Sequence, residues 1–126
     1  MPRILPALPF FTLILMQAVP TEVCSAQTVD FARDVRPLLS DTCYHCHGPD
    51  KENQQAELRL DLRSSLYQVH DGVALVVPGN TAKSLLFQRI TAKDRTERMP
   101  PEDAQVKLSD TQIELIGTWI EEGAVW

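Results

Sequence analysis

Cysteine is scarce in this chain: there are three in 126 residues, Cys24, Cys43 and Cys46. Methionine is as rare, at Met1, Met16 and Met99. Basic runs are missing and the net charge is −5. An acidic domain without a basic stripe is a poor match for a phosphate backbone, which argues against nucleic-acid binding. A protein partner with a basic docking face suits that charge better. No apolar run reaches the ~20 residues that a membrane-spanning helix needs. Internal repeats, Gly/Ser low-complexity tracts and convincing strand patterns are absent as well.

The chain opens "MPRILPALPFFTLILMQAVPTEVCSAQ". Arg3 precedes an apolar run from Leu8 to Met16, and small residues then lead to Cys24 and Ala26. This layout predicts a secretory signal peptide over residues 1–26, with the mature domain over 27–126 and no membrane span once the signal is removed. Lipidation at Cys24 is a weaker alternative, because Thr21-Glu22-Val23 is a poor lead-in to it. Cleavage after Ala26 of the 126-residue chain leaves 100 residues and only Cys43 and Cys46. Two cysteines three positions apart are an improbable structural disulfide, so something other than a disulfide framework has to staple this small core.

The periodicity is helical. In "DFARDVRPLLS", Phe31, Val35, Leu38 and Leu39 share one helix face. Asp30 suits the N-cap, and Pro37 predicts a kink because it removes an internal hydrogen bond. "PGNTAKSLLFQRI" predicts a turn at Pro78-Gly79, a cap at Asn80 or Thr81, and a short helix through Leu85, Leu86 and Ile90. In "KLSDTQIELIGTWIEEGAVW", Ser109 and Gln112 have capping-box spacing, with Leu108 and Ile113 as a staple. Ile113, Ile116 and Ile120 form a stripe that Leu115 and Trp119 widen. Gly117 lies on that stripe and predicts close approach by another helix, and Gly123 ends the element. Most of these residues are core in either reading of the protein.

Residues 48–65 and 91–107 show little periodicity. Two long ordered loops in so small a domain need something to order around, and a cofactor meets that need.

The chemistry concentrates in "TCYHCHGPD", residues 42–50. A zinc knuckle would need four ligands, for which Cys43, Cys46, one of His45 and His47, and His70 could be recruited, but no second cysteine pair exists. A thioredoxin-like dithiol wants a strand before the motif, where the pattern here is helical. Cys43-Tyr44-His45-Cys46-His47 is the C-x-x-C-H spacing of covalent haem attachment. In that chemistry the thiols add to the haem vinyl groups and the adjacent His47 becomes the proximal iron ligand. His45 reads as exposed.

A six-coordinate iron needs a second ligand. Met99, in "ERMPPED", is the one methionine left after cleavage. Pro100 favours an extended backbone at Met99, and Pro100-Pro101 stiffens its loop. A thioether on such a loop suits iron better than core filling, which remains the bland alternative. His70, beside Asp71-Gly72, is the rival ligand.

The ordered series "FARDVRPLLSDTCYHCHGPD", "LRLDLRSS", "VVPGN", "SLLFQRI", "RMPP" and "TWIEEGAVW" resembles the planctomycete-type cytochrome c domain, from about Val29 to Trp126. The resemblance implies an all-α cytochrome c-like fold, with N- and C-terminal helices packed around one haem c. It carries over Cys43 and Cys46 as thioether sites, His47 as proximal and Met99 as distal ligand. In that family the domain usually opens a much longer exported protein, whereas this sequence stops at Trp126. The haem propionates need counter-charges, and arginine forks pair well with carboxylates. Arg59 and Arg63, bracketing "LRLDL", are the candidates, against a plain reading as surface arginines.

The expected role is single-electron transfer with a redox partner protein, in the periplasm or at the cell surface, with no small-molecule substrate and no enzymatic step. The alternatives are a haem sensor or peroxidase-like module with an open iron position, and a docking domain through which electrons enter a larger exported enzyme. Glu97, Glu102 and Asp103 near "RMPP" read as solvated charges rather than as a base or proton donor.

Overall fold

The computed structural model describes residues 28–70 and 72–126, with the side chain of His70 outside that description. The expected signal peptide and its cleavage site fall outside the described residues. Where it is described, the chain is helical with almost no strand.

The first element is a π-helical segment, Phe31–Val35, running into α1, Arg36–Thr42. Asp30 caps it as its sequence position predicts, accepting from the Arg33 N–H at 2.7 Å. The expected kink at Pro37 takes a different form. The Arg36 N–H bonds the Phe31 carbonyl, five residues back, so the turn before the proline is widened. Pro37 then falls in the first turn of α1, where a missing N–H loses nothing. Phe31, Val35, Leu38 and Leu39 are buried, as one helical face should be.

A single turn, α2, spans Tyr44–His47, and another, α3, spans Arg63–Leu66. The sequence showed no strand pattern, yet β1 (Val69–His70) pairs antiparallel with β2 (Val73–Ala74), Val69 opposite Ala74 and His70 opposite Val73. Strands of two residues are too short to display alternation, and the signal lies in the turn, where Gly72 has φ +80°.

Helix α4, Leu85–Thr91, starts later than Asn80 or Thr81. Asn80 Oδ1 accepts from Lys83 N–H at 2.9 Å, so it caps the turn before the helix. Ser84 then supplies the N-cap position, its buried hydroxyl engaged with Val77 and Asn80 rather than with α4.

Helix α5, Asp110–Glu121, matches expectation most closely. Ser109 and Gln112 exchange both capping-box hydrogen bonds. A Cβ on Gly117 would lie 2.9 Å from Phe87 Cε2, so the missing side chain is what lets α4 pack here. At the C-terminus, Gly123 at φ +103° donates to Ile120 and Ala124 donates to Trp119, the paired bonds of a Schellman motif.

The core joins the two ends of the described chain. Val35, Leu39, Leu66, Ile116, Trp119 and Ile120 are fully buried. Phe31 contacts Trp119 with ring centroids 5.4 Å apart. Glu122 accepts from the backbone N–H groups of Thr28 and Val29, and Glu121 accepts from Thr81.

Candidate functional site

Cys43 closes α1 and opens α2, so the motif starts where one helix hands over to another. The Cys46 and His47 N–H groups both return to the Cys43 carbonyl, at 3.2 and 2.8 Å. In a helical turn, positions i, i+3 and i+4 share a face, which groups Cys43, Cys46 and His47. His45 is off that face and exposed, as expected. Both thiols are half-buried and free of any disulfide. Burial pushes the Cys43 thiol above its ordinary pKa, against a hydrogen bond with Thr42 that lowers it.

His47 is half-buried, and its Nδ1 lies 3.3 Å from the Gln55 carbonyl oxygen. A carbonyl can only accept, so Nδ1 carries the proton and Nε2 keeps its lone pair. Burial lowers the imidazole pKa, with the Gln55 contact opposing. Burial prevails, which favours a neutral ring, and the Nδ1 contact leaves Nε2 as the nitrogen free to bind a metal.

The segment after the motif folds back onto it. Gly48 makes the return possible, because a Cβ there would stand 2.2 Å from the Tyr44 carbonyl oxygen. Gln55 N–H then bonds the Cys46 carbonyl at 2.7 Å, and Leu60 N–H bonds the His47 carbonyl at 2.8 Å. The loop read from sequence as aperiodic is thus clamped to α2. Sequence reasoning missed Gly48 and Gln55. A glycine directly after the histidine was a usable signal for the first. Gln55 acts through its backbone, and no side-chain pattern marks it.

Met99 is 39% exposed and is not part of the buried core, which disfavours the core-filling alternative. Its loop is tied to α4: Met99 N–H bonds the Arg89 carbonyl at 3.0 Å, and Arg98 Nε bonds the Ala92 carbonyl at 2.6 Å. The Met99–Pro100 peptide is cis. Arg59 forms a two-pronged pair with Asp61, at 2.7 and 2.6 Å. Arg63 is exposed, its guanidinium 5.9 Å from the centre of the Tyr67 ring. His70 contributes a backbone position in the hairpin. Among the described residues no group of three His, Cys, Asp or Glu side chains gathers around one point, so the zinc reading lacks its ligand set there. Two grooves of about 270 Å³ flank Trp126, one reaching Arg33 and the other Tyr67, and neither includes the motif.

Two free thiols and an imidazole with an open Nε2 on one helical face are the donor set of covalent haem attachment. Cys43 is also one of the partly buried apolar groups packed against the core, as are Leu58, Leu85, Phe87, Leu108, Ile113 and Leu115, so the thiol side of the motif adjoins apolar core. The residues therefore fit the group, and the class this site defines is a c-type cytochrome. Residues 43–103 match the family described as Planctomycete cytochrome C, and this likeness implies haem c. The match runs from the first thiol past Met99 and leaves the flanking helical segments outside it. No curated protein and no solved structure matches the chain.

Proposed function

We propose that this chain is an exported c-type cytochrome domain with a cytochrome c-like fold around one haem, which passes single electrons to a redox partner protein. The observation that carries the reading is the placement of Cys43, Cys46 and His47 at i, i+3 and i+4 with His47 Nδ1 already committed to Gln55. Bound haem would supply a one-electron couple. Cys43 and Cys46 would hold it through thioethers, and His47 Nε2 would be the proximal ligand. Met99 would close the other face from a loop tethered to α4. A thioether there raises the potential, and fixed ligands on both sides keep rearrangement small. Arg59, steadied by Asp61, and Arg63 would balance the propionates. Among the described residues no helix is long and apolar enough to cross a membrane, which accords with a periplasmic or cell-surface location.

Maturation in an exporting host with a haem-attachment system should give a red protein whose colour survives acid-acetone extraction. The ferric protein should show the weak far-red sulfur-to-iron band, and the ferrous protein should bind carbon monoxide poorly. Met99→Ala should abolish the band and open the site. Extractable colour, or a colourless protein with stoichiometric zinc, would overturn the haem reading. The alternative is a sensor or peroxidase-like module with an open iron. A high-spin wild type that binds carbon monoxide readily would establish it.

A further inference from the structure

Ala56 and Glu57, consecutive residues of the loop clamped to α2, have φ of 56° and 52°. With the Leu58 N–H bonded to the Gln55 carbonyl at 3.2 Å, residues 55–58 form a turn with both central residues left-handed. Turns of that kind are the province of Gly, Asn and Asp, because a Cβ crowds the following carbonyl and only short polar side chains compensate. Alanine and glutamate have neither remedy, and both are exposed, so packing of their side chains does not impose the conformation. Strained backbone persists where its surroundings over-determine it. Here the bonds from Gln55 N–H to Cys46 and from Leu60 N–H to His47 fix the loop on either side of the turn. Between them lies the Gln55 carbonyl, which also faces His47 Nδ1.

We infer that the Ala56–Glu57 turn is a positioning device for His47: its left-handed backbone aims the Gln55 carbonyl at Nδ1 and so selects the ring tautomer and orientation. This rests on the reading of His47 as the haem ligand. Residues with a Cβ have a narrow left-handed well, so the carbonyl direction is defined, whereas glycine would keep the turn and broaden the aim. The Nδ1 hydrogen bond makes the imidazole a stronger donor and favours the oxidised metal. Loosening it should raise the reduction potential.

The test compares the matured full chain with the double variant Ala56→Gly/Glu57→Gly and with Lys51→Gly, an exposed position of the same loop outside the left-handed pair. Covalent haem is measured first in each, so a failure of the haem reading is visible by itself. The double glycine variant should fold at least as stably as the parent, yet show a raised potential and a broadened ferric EPR spectrum, with Lys51→Gly leaving both unchanged. Long-range proton–nitrogen NMR of the His47 ring reads the tautomer whether or not haem is attached, and should show the Nδ1–H form weakened in the double variant alone. An unchanged potential, EPR spectrum and tautomer in the double variant overturn the proposal. So does an equal shift in Lys51→Gly, which would make the effect general loop loosening.

Discussion

The ring of Trp126 stacks on that of Phe31, with centroids 4.0 Å apart and planes 24° from parallel. One residue begins the first helical segment and the other follows the last helix. Removing either ring should therefore loosen both ends together. Trp126→Ala is expected to cost about 2 kcal/mol, less than a fully buried aromatic because Trp126 is only partly buried. A double-mutant cycle with Phe31→Leu should return a coupling of about 1 kcal/mol. Additive effects in denaturant melts would show that the stacking carries no energy of its own.

Gly117→Ala sets helix propensity against packing. Alanine gains about 1 kcal/mol in a helix interior, while overpacking costs about 1–3 kcal/mol. The nearest atom is the far edge of the partly buried Phe87 ring, which can yield. The expected net loss is about 1 kcal/mol, and it should vanish when Phe87→Leu is combined. Loss persisting in the double variant would mean that α4 itself is displaced.

Tyr44 presents a buried hydroxyl without a hydrogen-bond partner among the described residues, with the Arg36 guanidinium nearby. Burial raises its pKa. An unsatisfied buried hydroxyl costs about 1–3 kcal/mol, so Tyr44→Phe should be neutral or stabilising by about 1 kcal/mol. A clear drop in melting temperature would reveal a partner for that hydroxyl in solution.

Glu122 holds Thr28 and Val29, and its carboxyl lies below its ordinary pKa of 4.5 chiefly through the Thr28 hydroxyl. Because the folded value is depressed, the clasp contributes fully above pH 4.5 and is lost as pH falls through the folded value. Glu122→Gln should therefore weaken the protein near neutrality and flatten its acid-side stability profile. Identical acid profiles for wild type and variant would show that the clasp does not contribute.

Helix α5 was legible in the sequence because its capping box, stripe and terminal glycine are all local and agree. The buried face of Phe31, Val35, Leu38 and Leu39 was legible for the same reason. The widened turn before Pro37 was not, since it depends on which carbonyl the Arg36 N–H finds. Asn80, Thr81 and Ser84 can all cap, and sequence spacing does not say which of two successive turns becomes the helix. At the site, the C-x-x-C-H spacing singles out Cys43, Cys46 and His47, and the structure carries them on one helical turn. What fixes His47 runs through the Gln55 carbonyl, and side-chain patterns are silent about carbonyls.

The contact between Thr28 and Glu122 spans 94 residues, whereas α2 and its returning loop close within a stretch of 18, from Cys43 to Leu60. Loop closure over long separations is slow, and local turns form early. Helix α2 thus takes shape while the ends of the domain are still apart. On the proposed reading, haem would meet Cys43 and Cys46 on a turn already formed, before Trp119 of the C-terminal helix reaches Phe31.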